Sequence, residues 1–180
     1  MTVLNIAMAG SDELAREIAK PVDERDVQSY VHKEVVDGVQ CVLSLIRPMR
    51  YPEKLRPLLS ALSAGRVGII EVKAIDATFG ETLVAFSAAG ITKGILVVNP
   101  DSGGWVDKDQ VKKLLVQAGL DKWLFCAGDG LTIRQTLLVM MSELEEELAK
   151  DTSRPLVIPV DQYFNVKGIG LVAIGYVQSG

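Results

Sequence analysis

The first 150 residues alternate short apolar runs with amphipathic segments. An apolar run over 3–9 stops at Gly10, and Ser11 then provides an N-cap for a helix extending to about residue 20. The runs 67–72 and 94–98 hold successive apolar residues, as strands covered on both faces do. Such alternation of strands and helices predicts an α/β fold of three layers around a mixed, mostly parallel sheet.

Turn and capping signals complete this pattern. The strand-like segments 28–36 and 40–46 flank Asp37 and Gly38, a dipeptide that favours two-residue hairpins, so we predict one antiparallel pair. Apolar spacing after Pro52 predicts a second helix that ends at Gly65. Capping boxes that begin at Thr78, Asp107 and Thr132 predict three more helices, which end at about 90, 119 and 150, and a last buried strand is predicted at 123–127.

The pattern changes after residue 150. A polar segment over 151–155 ends in proline, and 157–180 shows strand-like alternation with four glycines and no helical period. That stretch is too short to bury a core of its own. We therefore predict an α/β domain at 1–150, followed at 151–180 by a linker and the start of an incomplete second domain.

Charge and composition narrow the functional classes. Among 180 residues, 19 Lys and Arg face 23 Asp and Glu, giving a net charge of −4. No global positive field attracts nucleic acid, so DNA is not expected as a partner and RNA contact requires a local patch. The mean hydropathy is +0.24, but no apolar stretch approaches the roughly 20 residues of a membrane span. With no signal-like start and only two cysteines, we expect a cytoplasmic protein.

Gly10 lies where a phosphate-binding loop would begin. The pattern GxxxxGK followed by Ser or Thr requires a second glycine, a lysine and a hydroxyl, but this chain has Ala15, Arg16 and Glu17 there. The alternatives are a degenerate nucleotide site and an ordinary N-capped helix. In the second case, carboxylates of the first helical turn, from Asp12 and Glu13, take the place of a phosphate.

A local basic cluster is the main candidate for partner binding. It consists of Arg47, Arg50, Lys54 and Arg56 around Tyr51. One interpretation is the solvated start of a helix, and the other is a docking patch for RNA or an acidic partner. No catalytic triad, carboxylate pair or metal-ligand spacing is present, so we predict no catalytic residue and no metal ligand.

The C-terminal stretch 155–180 resembles the start of the second domain of translational GTPases, the family that includes elongation factor Tu and the selenocysteine-specific factors. The matching positions are Pro159, Val160, Asp161, Phe164, Val166, Gly168, Gly170, Val172, Gly175, Val177 and Gly180. Leu171 stands where the family usually has threonine. The resemblance implies that 1–150 is a P-loop GTPase-like domain and that 151–180 holds the first strands of the domain 2 β-barrel.

The same resemblance assigns candidate cofactor-binding residues. Asn99 and Asp101 fall at the guanine-specificity motif NKxD, and Cys126 with Ala127 falls at the Ser-Ala loop that follows it. With the phosphate-loop positions, the candidate set is Gly10, Ser11, Arg16, Asn99, Asp101, Cys126 and Ala127.

The nucleotide motifs are also where the chain departs from the family. The motif DxxGH corresponds to residues 47–51, which contain no acid, glycine or histidine, and Pro100 replaces the lysine of NKxD. Losing the lysine clamp and the Mg²⁺ ligands together removes most of the electrostatic stabilisation of phosphoryl transfer, so hydrolysis is not expected.

These departures leave three functional hypotheses. The first is a pseudo-GTPase that serves as a scaffold for the ribosome, tRNA or a translation protein, with no cofactor expected. The second is an elongation factor that binds GTP and Mg²⁺ through Arg16 in place of lysine, with low GTPase activity. The third is a small-ligand module that uses the crevice at Gly10 and Asn99.

Overall fold

The computed structural model describes residues 1–102, 104–150, 155–158 and 160–175. These residues form two compact units, which divide between Leu138 and Val139. Of the predicted linker 151–155, residues 151–154 lie outside the described residues. No helix in the described ranges is long and apolar enough to cross a membrane.

The first unit is built on a seven-stranded sheet in the order β2-β3-β4-β1-β5-β6-β7. The strands are β1 (Thr2–Ala9), β2 (Lys20–Glu24), β3 (Val27–Val36), β4 (Val39–Pro48), β5 (Val67–Val72), β6 (Gly94–Val98) and β7 (Leu124–Cys126). The helices are α1 (Asp12–Ile18), α2 (Leu55–Ala64), α3 (Ala77–Ala88), α4 (Lys108–Gln117) and α5 (Gly130–Lys150), of which α5 continues into the second unit. Five strands are parallel, and β2 and β3 run antiparallel to their neighbours. The predicted mixed, mostly parallel α/β fold is confirmed.

The predicted hairpin is confirmed as β3 and β4. Asp37 and Gly38 take φ angles of 49° and 78°, the left-handed values that a tight two-residue hairpin turn requires. Strand β2 was not predicted, because its five residues are all exposed and carry no alternating apolar face. Among the strands that the structure describes it pairs only with β3, and its charges and proline suit an edge strand.

Three predicted element details are wrong. Helix α3 is capped by Asp76, whose Oδ1 accepts the Phe79 N–H, rather than by Thr78. Asp129, not Thr132, caps α5 by accepting the Thr132 N–H at 2.8 Å. In both cases an aspartate upstream is the better acceptor for the free N–H groups of the first turn. Strand β7 is partly exposed, because β6 is its only partner among the described strands.

One apolar core of the first unit forms where α2, α3 and α4 supply apolar faces to the sheet. Its aromatic centre is Phe86 and Trp123, whose rings meet edge to face at a centroid distance of 5.3 Å. The Trp123 Nε1–H donates to the Ile91 carbonyl at 3.2 Å, so the buried indole leaves no polar atom unsatisfied.

The described strands of the second unit form an antiparallel hairpin, β8 (Val160–Val166) and β9 (Gly170–Gly175). The turn uses Gly168 and Gly170 at φ values of 87° and 99°, which favour glycine. Strands therefore follow the α/β domain, as predicted. Three signature positions, Pro159, Val177 and Gly180, lie outside the described residues.

Candidate functional site

The candidate site lies at the carboxyl edge of the parallel strands. β1, β4, β5 and β6 all end there, because parallel strands point the same way. This edge carries Ser11 after β1, Arg47 near the end of β4, Glu71 near the end of β5 and Asn99 after β6. Ligands of open α/β sheets bind at this kind of edge, so these side chains define the candidate site.

The connection from β1 to α1 contains only Gly10 and Ser11. Ser11 caps the helix, and its Oγ accepts the Leu14 N–H at 3.2 Å. A Cβ on Gly10 would lie 3.0 Å from the Met8 methyl and 3.1 Å from the Glu71 Cβ, which makes this a tight turn. The connection is too short for the wide glycine-rich loop that surrounds a phosphate.

The carboxylate of Glu71 accepts the hydrogen bond that the backbone of this turn offers. Its Oε2 accepts the Ser11 N–H at 2.6 Å, and its Oε1 accepts from the Asn99 side-chain amide at 2.8 Å. Asn99, predicted at the guanine position, thus donates to a carboxylate of the protein itself. The sequence prediction named Asp12 and Glu13 as phosphate substitutes and missed Glu71. The available signal was a lone acid inside the apolar run 67–72.

Arg47 belongs to a polar network that joins α1 to β3 and β4. Its guanidinium donates to the Tyr30 hydroxyl at 3.3 Å, to Gln28 Oε1 at 3.3 Å and to the Gly10 carbonyl at 3.5 Å. The fully buried Tyr30 donates its hydroxyl proton to Asp12. Burial, followed by this bond to Asp12, raises the pKa of Tyr30, so the hydroxyl remains a donor at neutral pH.

Acid is expected to weaken the fold through Asp12. Hydrogen bonds from Arg16, and then from Tyr30, lower the pKa of the Asp12 carboxyl below its ordinary 3.8. A depressed folded-state pKa gives stability that is present above pH 3.8 and lost as the pH falls through the folded value. Wild type should therefore exceed Asp12→Asn in unfolding free energy at pH 7, with a smaller gap at pH 3. Urea titrations at both pH values measure this, and an unchanged gap would contradict it.

The structure divides the predicted basic cluster into two groups. Arg47 is only 17% exposed in its side chain, and the half-buried Tyr51 hydroxyl bonds to Thr82 Oγ1 at 2.8 Å. Arg50, Lys54 and Arg56 are exposed. The inward pair helps to line the candidate site, while the other three remain on the surface as the exposed basic trio.

The remaining candidates lie in different surroundings. Arg16 is half exposed and binds Asp12 through its Nε at 2.5 Å. Asp101 pairs with the Lys73 ammonium at 3.5 Å. Cys126 contacts the Thr136 hydroxyl at 3.9 Å, and Ala127 is exposed. In the described ranges, no cluster of three potential metal ligands is present.

A pocket of about 500 Å³ opens beside the end of β1. Of the predicted cofactor residues, Gly10, Ser11 and Asp101 line it. The other lining residues are Ala9, Arg47, Pro48, Tyr51, Pro52, Ile70, Glu71, Lys73, Ala74, Asp76, Thr78, Phe79 and Thr82. The pocket is therefore built from the ends of β1, β4 and β5 and the first turns of α3.

Comparison with known proteins finds related chains, although no family model matches. The chain is 28% identical over 181 residues to an uncharacterized protein of Methanocaldococcus jannaschii, covering 100% of this chain and 54% of that protein. It is 24% identical over 165 residues to elongation factor 1-alpha of Thermococcus onnurineus, covering 77% and 38%. The chain thus spans about half or less of the length of these relatives.

A solved structure shares the fold. The crystal structure of a bacterial selenocysteine-specific elongation factor superposes with a TM-score of 0.61 at 18% identity, covering 100% of this chain and 35% of that one. The described residues therefore have a translational GTPase-like fold: a mixed α/β domain with a mostly parallel sheet, followed by β-strands.

Proposed function

We propose that this chain is an elongation-factor-related pseudo-GTPase that serves as a binding scaffold in translation. The observation that carries the proposal is the bond from the Ser11 N–H to Glu71 at the end of β1. Where a phosphate would accept backbone N–H groups, the protein supplies its own carboxylate. A phosphate placed there would have to displace Glu71 and would meet its negative charge.

The positions that hold Mg²⁺ and phosphate in the family carry side chains that contact a carboxylate of this protein instead. Arg47 falls where the family has its Mg²⁺-side aspartate, and its guanidinium lies 3.9 Å from Asp12. Arg16, the alternative substitute for the phosphate-loop lysine, is bonded to the same Asp12. These contacts favour the scaffold over the hypothesis of a GTP-binding factor that uses Arg16.

The proposed partner surface is the exposed basic trio, Arg50, Lys54 and Arg56. Lysine and arginine bind RNA phosphates without sequence preference. The ribosome or a tRNA fits this chemistry, and the elongation factors that resemble this chain support a role in translation.

The first arm of the test is a titration with fluorescent GTP, with and without Mg²⁺. We expect no saturable binding in the micromolar range, because Glu71 and the short turn exclude the phosphates. Arg16→Ala should behave like wild type. Micromolar, Mg²⁺-dependent binding that Arg16→Ala abolishes would instead establish the Arg16-dependent factor.

The second arm is co-sedimentation with ribosomes over a range of salt concentrations. Replacing Arg50, Lys54 and Arg56 by alanine should weaken binding and reduce the salt slope by about 0.7–0.9 for each lost phosphate contact. The charge-matched control replaces three exposed lysines of α4, Lys108, Lys112 and Lys113, by alanine. Equal losses in both triple variants, or no ribosome binding by wild type, would contradict the scaffold.

A further inference from the structure

The pocket beside β1 combines a buried apolar wall with polar groups, and the proposed scaffold role does not require such a pocket. Its inner wall includes Ile70 and Phe79, which are 2% and 5% exposed, and the hydroxyls of Tyr51 and Thr82 are bonded to each other there. A volume of about 500 Å³ falls within the range of small-molecule sites, which combine apolar walls with a few polar groups. The pocket could enclose one flat apolar group.

The charges lining the pocket favour one sign of ligand. Its two cationic side chains already face carboxylates: Arg47 lies 3.9 Å from Asp12, and Lys73 lies 3.5 Å from Asp101. Lys73 and Asp101 balance each other, whereas the charge of Arg47 is compensated only in part, because Asp12 also binds Arg16.

The two other acidic side chains of the pocket bind only neutral donors. Glu71 accepts from the Ser11 N–H and the Asn99 amide, and Asp76 accepts the Phe79 N–H. Among the described residues, no lysine, arginine or histidine nitrogen lies within 4.0 Å of either carboxylate. The lining side chains carry three carboxylates, on Glu71, Asp76 and Asp101, against the two cations of Arg47 and Lys73, so their net charge is negative.

We propose that this pocket binds a small organic cation, an amine carried on a flat apolar body. The apolar body would lie against Phe79 and Ile70, and the ammonium would be attracted by Glu71 and Asp76. The same charges disfavour carboxylates and phosphate esters of similar shape. The site is thus distinct from a nucleotide site in the charge of its ligand.

The test uses two pairs of probes that share a ring but differ in charge: tryptamine with indole-3-acetate, and phenethylamine with phenylacetate. Titrations of ¹⁵N-labelled protein followed by NMR should show saturable shifts of the Phe79 and Thr82 amides with at least one amine. Neither acid should produce them. Saturation by an acid, or by neither amine, overturns the proposal.

One substitution separates the effect of the pocket's charge on binding from any effect on folding. Asp76→Asn retains an N-cap for α3, because asparagine caps as well as aspartate, but removes the negative charge. It should weaken amine binding about five- to tenfold, the difference between a charged and a neutral acceptor. Asp107→Asn makes the same change at the cap of α4, away from the pocket, and should leave binding unchanged. Equal weakening by the two variants would mean that only the net charge matters and would overturn the assigned site.

Discussion

Trp123→Ala is expected to lower the free energy of unfolding by about 3–5 kcal/mol, the usual cost of removing a large buried aromatic side chain. Trp123 is 4% exposed, packs edge to face on Phe86 and donates its Nε1–H to the Ile91 carbonyl. The variant loses the packing and leaves that carbonyl without its donor. Urea unfolding followed by circular dichroism measures the change.

Two glycines suggest that the loss will fall at the upper end of this range. A Cβ on Gly68 would lie 2.3 Å from the Trp123 ring, and one on Gly94 would lie 2.7 Å from it. The two glycines, one on β5 and one on β6, therefore leave the space that the indole ring fills. When the indole is removed, neither glycine has a side chain that could refill the cavity, and the cost of truncation rises with the residual volume.

The other tryptophan provides the matched control. Trp105 is 82% exposed, so Trp105→Ala should change the unfolding free energy by no more than about 0.5 kcal/mol. Similar losses at the two positions would contradict the placement of Trp123 at the centre of the core.

The buried half of the fold could be predicted because its signals are local. β5 and β6 are continuous apolar runs, and the structure places them at Val67–Val72 and Gly94–Val98, as the pattern indicates. β2 could not be predicted, because an edge strand with every residue exposed has no apolar period to detect. Its position depends on its pairing with β3.

The candidate site was only partly predictable, because its bonds join residues far apart in the chain. Gly10 and Ser11 could be placed from the junction of strand and helix. Glu71 lies 60 residues beyond Ser11, and nothing in its neighbourhood indicates that it caps this turn. Likewise, the sequence places Tyr51 in a basic surface cluster. In the structure its hydroxyl is bonded to Thr82, which lies 31 residues further along the chain.

Gly65→Ala is expected to destabilise the protein by about 3 kcal/mol, at the upper end of the cost of inserting one methyl group into a packed site. The sequence pattern treats Gly65 as a helix terminator, but its φ of −77° is open to any residue. The requirement is steric. A Cβ there would lie 2.6 Å from the Ala7 Cβ and 2.8 Å from the Ala7 backbone nitrogen.

The magnitude follows from what the new methyl group would have to move. Ala7 is fully buried on β1, which is paired with both β4 and β5. Backbone held on two sides cannot shift as a flexible side chain can, so α2 or the turn after it must move and lose packing. Gly80→Ala is the opposite case, because Gly80 lies within α3 and, apart from its chain neighbours and the backbone of its own helix, no atom lies within 4 Å of the added Cβ. There, alanine should stabilise the helix by about 0.5–1 kcal/mol. Urea unfolding of the two variants should therefore give changes of opposite sign, and a Gly65→Ala protein as stable as wild type would show that α2 does not approach β1 this closely.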